Sequence, residues 1–145
     1  MKLVQLIYAS RATGVIDLDL VQSLLSKALK NNTARGISGF LAFDHSYFLQ
    51  ALEGGSDAVS ETFLRIARDT RHHSIRLISH GEIAHRFFQH WAMGDCDVGG
   101  VESNPILQFM PTRTFQPLDL SAASALGLLV HLDELRRDKG ECHSL

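Results

Sequence analysis

Between residues 17 and 70, two helical stripes enclose a pair of short apolar runs, and this interleaving constrains the fold more than any single motif. Val21, Leu24, Leu25, Ala28 and Leu29 recur at i, i+3, i+4, i+7 and i+8, the apolar face of an amphipathic helix. Asp17 or Asp19 can cap its start, and Asn31-Asn32 with Gly36 beyond mark its end. The period then shortens to that of a strand. Ile37 to Phe43 and Tyr47 to Leu52 are joined only by Asp44-His45-Ser46, a connector short enough to require an antiparallel hairpin. Glu53-Gly54-Gly55-Ser56 breaks the pattern, with Ser56 as N-cap. Val59, Phe63, Ile66 and Ala67 then give a second helical stripe that runs to about Thr70.

The flanking segments complete the set. Leu3 to Ala9 reads as a buried first strand, Ser74 to Ile78 as a fourth and Ala92 to Val98 as a fifth, the last reached through Phe87, Phe88 and Trp91. The order βαββαβ with a fifth strand added predicts an α+β, ferredoxin-like mixed sheet with two helices on one face. Gly99-Gly100 is the expected boundary between residues 1–98 and a C-terminal helical extension, 99–145. Pro105, Pro111 and Pro117 lie in an irregular stretch, and a last helix runs from about Ser121 to Lys139 with Leu128, Leu129, Leu132 and Leu135 along one stripe. So short a tail cannot build its own core. It is expected to pack on the bare sheet face or on another subunit.

Composition removes several classes of function. Of 145 residues, 45% are hydrophobic and 21% charged, ordinary globular usage that argues against disorder. The formal charge is −2 with no run of one sign, so no nucleic-acid partner is expected. No apolar stretch approaches the ~20 residues that span a bilayer. The first residues turn polar too quickly for a signal peptide. Two cysteines, Cys96 and Cys142, are too few for a disulfide framework, which makes a reducing cytoplasm the default compartment.

Most generic signals of chemistry fail. His80, His85 and His90 recur every five residues, which aligns no ligands on a helix face, and the adjacent His72 and His73 must point apart. Solvated histidines and no metal are the better reading. Gly54-Gly55 before a helix lacks any phosphate-loop partner and reads as a plain turn. There is no nucleophile elbow, and neither cysteine has a histidine in thiol-nucleophile pattern. What remains is polar groups in apolar surroundings. Tyr8 alone reads as a core aromatic with its hydroxyl at the rim. Gln50 shares a strand face with Phe48 and Leu52, so if that face meets the helices its amide needs partners.

The chain resembles BLUF domains, the flavin-binding blue-light sensors, over about Lys2 to Asp97. The resemblance rests on linked segments in order: Leu6-Ile7-Tyr8-Ala9-Ser10, Asn32, Gly36-Ile37-Ser38-Gly39, Phe48-Leu49-Gln50-Ala51-Leu52-Glu53-Gly54, Asp69-Thr70-Arg71-His72 and Phe88-Gln89-His90-Trp91-Ala92-Met93. Ser38 stands where threonine is commoner, a conservative departure. The resemblance implies a ferredoxin-like fold with flavin between the two helices, FAD being the usual ligand and FMN or riboflavin possible ones. Tyr8 would be the redox-active phenol and Gln50 the switching amide between it and the flavin. Asn32, with Asn31 before it, would bind the ring's polar edge. Arg71 and His72 would lie near its pyrimidine end and ribityl chain, and Leu24 and Ile66 would sandwich the ring. Trp91 and Met93 match the pair on the last strand that relays the switch.

With no catalytic domain after the sensor, the resemblance implies a non-enzymatic short BLUF protein that signals through a homo-oligomer or a separate effector. The C-terminal helix, with its charged run Asp133-Glu134-Leu135-Arg136-Arg137-Asp138-Lys139, suits a switchable contact and equally suits a simple cap on the sheet. Two other readings use the same fold: a small acylphosphatase-like hydrolase built around Arg11, and a light-independent interaction module with an empty cleft.

Overall fold

The computed structural model describes residues 2–101, 105–140 and 142. Strand β1 (Leu3–Ala12) is followed by α1 (Leu18–Arg35), β2 (Ser38–Phe43), β3 (Tyr47–Gly55), α2 (Ser56–Ala67), β4 (His72–Glu82) and β5 (Gly94–Asp97). The tail adds a short helix α3 (Ile106–Phe109), a 3-10 turn at Pro117–Asp119 and the long helix α4 (Ala122–Lys139). The five strands form one sheet in the order β4-β1-β3-β2-β5. All neighbours are antiparallel except β2 and β5, which run parallel. This is the ferredoxin-like arrangement with a fifth strand at one edge.

The sheet is covered on both faces, which is why β1 and β3 read as near-continuous apolar runs. Leu6 and Tyr8 on β1, Leu41 on β2, and Phe48 and Leu52 on β3 pack under α1 and α2. Their alternates Ile7, Ala9, Phe40, Ala42 and Leu49 pack under α4 through Ala125, Leu128, Leu129 and Leu132. The tail therefore takes the bare sheet face. Each fully buried leucine of α4 contributes roughly 1.5–3 kcal/mol by area, enough to hold the helix down against its ordering entropy. Both ends of α1 are fixed locally: Asp17 accepts the Leu20 N–H at 2.9 Å, and Gly36 ends the helix at φ 68°, a left-handed conformation that favours glycine.

Several boundaries move for tertiary reasons. β3 continues through Glu53-Gly54-Gly55, expected to break the pattern, because Leu3, Val4 and Gln5 pair with them across the ladder. Gly55, rather than Ser56, is then the N-cap of α2, and α2 stops at Ala67. β4 is extended to His72–Glu82 by pairing along most of β1. β5 begins only at Gly94, so Trp91 and Met93, expected on the last strand, precede it.

Cys96 on β5 and Cys142 beyond α4 are joined as a disulfide, their Cα atoms 4.4 Å apart, although two distant cysteines read as too few for a disulfide framework. The spacing hid this because α4 carries the chain end back over β5. Glu53 also exceeds the sequence reading. It is fully buried, and its carboxylate accepts from Gln5 Nε2 at 2.7 Å and from the backbone N–H groups of Phe87 and Phe88 at 2.9 and 2.8 Å. Arg86 next to them donates to Ser38 Oγ at 2.7 Å and to the carbonyls of Gly36 and Glu53. These bonds pin residues 86–88 and aim the segment carrying Trp91 and Met93.

Candidate functional site

A cleft of about 220 Å³ opens between α1 and α2 with the sheet as its floor. Tyr8, Leu24, Asn31, Asn32, Gln50, Ile66, Arg71 and His72 all line it, together with Met93. The two helical stripes supply the walls, Leu24 from α1 and Ile66 from α2. The floor comes from β1 and β3, whose register places Tyr8 directly opposite Gln50.

The floor is a continuous polar chain in apolar surroundings. Tyr8 is 3% exposed and its hydroxyl donates to Gln50 Oε1 at 2.5 Å. Gln50 is 5% exposed and its Nε2 donates to Met93 Sδ at 3.3 Å. Both halves of the amide are therefore engaged, as burial demands. Burial pushes the Tyr8 phenol pKa up, and the Asp69 carboxylate adds to the shift, so the hydroxyl keeps its proton.

Asn32 is buried in the last turn of α1, and its Nδ2 donates to the Ala92 carbonyl at 2.9 Å. That bond leaves its Oδ1 for a cleft ligand. His72 has both ring nitrogens occupied, Nε2 donating to the Ile66 carbonyl and Nδ1 paired with the Ser10 hydroxyl, each at 2.7 Å. A carbonyl can only accept, so Nε2 carries a proton. Arg71 grips Asp69 through two nitrogens, at 2.9 Å from Nε and 2.5 Å from the terminal nitrogen. These hydrogen bonds lower the Asp69 carboxyl to about 2 against a smaller opposing effect of burial.

Trp91 and Met93 diverge. Met93 enters the cleft, whereas Trp91 packs with the α4 core on the other side of the sheet. In a regular strand, residues i and i+2 share a face. Residues 91–93 are not strand, and that is how the two side chains separate. Glycine at position 94 permits the packing, since a Cβ there would fall 2.7 Å from a Trp91 ring carbon and from Phe40 Cδ2.

Three polar cleft residues were not singled out from the sequence. Thr62 on α2 is 4% exposed, and its Oγ1 is the buried side-chain polar atom, among the described residues, that has no hydrogen-bond partner. Lys27 and Arg65 line the cleft from the exposed flanks of α1 and α2. Helical spacing carries all three, since Leu24-Lys27-Asn31 and Thr62-Arg65-Ile66-Asp69 each fall along one face. Among the described residues no group of three or more His, Cys, Asp or Glu side chains could hold a metal ion, and His72, read with its neighbour as a solvated histidine, lines the cleft instead.

An apolar slot with an orphan hydroxyl, a free asparagine oxygen and cations at its flanks suits a flat heteroaromatic ring with polar edges and an anionic tail. Flavins have that chemistry, and the residues present fit one.

Residues 3–94 match the BLUF family, described as sensors of blue-light using FAD. A photoactivated adenylate cyclase subunit beta of Euglena longa is 25% identical over 106 residues, 72% of this chain. The chain spans only 12% of that relative's length. Among solved structures, BlsA in its photo-activated state superposes with a TM-score of 0.77 at 30% identity, covering 90% of this chain and 94% of that one. BlrB, a BLUF protein in its dark state, gives 0.72 at 28% identity over 90% of this chain and 93% of its own.

Proposed function

The chain belongs to the BLUF family of flavin-binding blue-light sensors, and on that premise we propose that it is itself a photoreceptor whose switch is the buried Tyr8–Gln50–Met93 chain. The observation that carries this is the Tyr8 hydroxyl held 2.5 Å from Gln50 Oε1 on the floor of an interhelical cleft. Bound flavin would supply blue-light absorption and, once excited, strong oxidising power. Leu24 and Ile66 would flank its ring, Asn31 and Asn32 would bind its polar edge, and Arg71 and His72 would lie at its far end. Thr62 Oγ1 would gain the partner it lacks.

Tyr8 could give an electron and then a proton through Gln50 to a bound, excited flavin and recover both, leaving only the hydrogen bonds of Gln50 changed until the dark state returns. Phenylalanine offers neither under these conditions. Gln50 carries a donor and an acceptor on one flat group, so turning the amide, or changing its tautomer, rewires the floor without moving the backbone. The result is a small, reversible red shift with no lasting oxidation.

FAD is the favoured ligand, with FMN next. Lys27 and Arg65 have no ion-pair partner among the described residues and can meet a flavin phosphate, which riboflavin does not have. Residues 1–98 form the sensing part in this reading and 99–145 the output element. The output is non-enzymatic and passes through a homo-oligomer or a separate effector protein, with no nucleic acid or membrane contacted directly. The cytoplasm is the compartment this reading favours.

The test is an absorption spectrum of purified protein, loaded with FAD where needed, in darkness, under blue light and after recovery. A flavin band that shifts slightly red and returns supports the proposal. A band that bleaches overturns the switch. Failure to take up FAD overturns the photoreceptor reading altogether and returns the hydrolase and interaction-module readings to consideration.

A further inference from the structure

Residues 91–93 touch both sides of the sheet within three positions. On the cleft side, Met93 Sδ accepts from Gln50 and the Ala92 carbonyl accepts from Asn32. On the far side, Trp91 Nε1 donates to Asp133 Oδ1 at 2.5 Å. Asp133 sits in the middle of α4 and is 1% exposed, although the sequence shows it in a charged run. Its other oxygen accepts from Arg137 Nε at 3.3 Å. Arg136 lies over the Trp91 ring at 4.9 Å and binds the carbonyl and carboxylate of Asp95 on β5.

We infer that Asp133 is the residue through which α4 reads the state of the cleft, its bond to Trp91 being intact at rest and weakened when Gln50 switches. The inference rests on the photoreceptor reading above and adds a receiving residue to it. At rest the Gln50 amide N–H faces the Met93 sulfur, a donor meeting a weak acceptor. A turned amide presents its carbonyl oxygen instead, so two acceptors face each other and Met93 is displaced. The segment is short and held at Ala92 and Trp91, so a shift at Met93 draws on the indole. The Trp91–Asp133 bond is charge-assisted and part-buried, and such bonds weaken steeply with misalignment. Only an interaction that differs between two states can shift their populations, and this one differs.

Trp91 is the only tryptophan in the 145 residues, so the FAD-loaded protein gives a single ¹⁵N-indole resonance. In darkness its proton should resonate far downfield and exchange slowly. Under blue light it should move upfield, and the central amides of α4 should exchange about tenfold faster by mass spectrometry. Absorption is recorded on the same sample. A red shift with an unmoved indole proton and unchanged α4 exchange overturns the inference alone. Bound flavin without a red shift overturns the switch reading, and this inference with it.

In Asp133→Asn the red shift should persist while the dark–light difference in α4 exchange falls several-fold. Trp91→Phe, which keeps an aromatic ring and removes the donor, should abolish that difference too, and it serves if the buried Asp133 variant folds poorly. A difference as large as wild type in either variant contradicts the role of Asp133.

Discussion

Tyr8 and Gln50 face each other across β1 and β3 with a 2.5 Å bond from phenol to amide, both side chains buried beneath α1 and α2. Tyr8→Phe keeps the ring against Phe63, whose centroid is 5.5 Å away, and removes the hydroxyl that donates to Gln50 Oε1. The variant should bind FAD within a few-fold of wild type and form no red-shifted state. Flavin titration alongside illuminated absorption spectra checks both halves, and a normal red shift would count against the assigned role of the phenol.

Glu53 is expected to matter for stability rather than for the light reaction. Glu53→Leu leaves the Gln5 amide and the Phe87 and Phe88 N–H groups without a buried acceptor, and should cost about 3 kcal/mol in urea unfolding. Glu53→Gln keeps one acceptor and should cost less.

Two cleft groups give opposite pH signatures. Asp69 is held at about 2 by its hydrogen bonds to Arg71, so it stabilises the fold fully above the ordinary carboxylate range. That contribution is lost as pH falls from ~4 towards 2, and partial exposure keeps it below ~1 kcal/mol. Asp69→Asn should flatten the acid limb of a stability curve by that amount. Tyr8 is shifted upward, so its contribution is complete at neutral pH and is lost only above the unfolded phenol's value of ~10. The light response should accordingly show no alkaline limb from Tyr8 below that pH.

The Cys96–Cys142 bond closes a loop of 46 residues, for which chain entropy predicts about 4 kcal/mol as an upper value. Reduction should therefore lower the denaturation midpoint and loosen the end of α4. Denaturation with and without dithiothreitol, beside a Cys142→Ser control insensitive to reductant, checks this. Alkylation of the thiols in intact cells also bears on the compartment, since a fully oxidised pair would speak against a reducing cytoplasm.

The fold class was legible because two helical stripes and a three-residue connector leave few topologies, and the place of the cleft followed from the family resemblance together with the face shared by Phe48, Gln50 and Leu52. Other features depended on contacts that no local pattern encodes. Trp91 and Met93 point to opposite faces only because β5 starts at Gly94. Asp133 looks like part of a solvated run until α4 settles on the sheet. Thr62 looks like any polar helix residue until the cleft forms around it. The strand through Gly54-Gly55 exists because β1 pairs with it, overriding the glycines' weak strand preference.

The most direct test of the account is the light-minus-dark absorption of the FAD-loaded protein beside Gln50→Leu. Leucine fills much the same space and removes both the acceptor for Tyr8 and the donor to Met93. The account predicts a reversible red shift in the wild type and none in the variant, with flavin bound in both. A red shift of wild-type size in Gln50→Leu would contradict it.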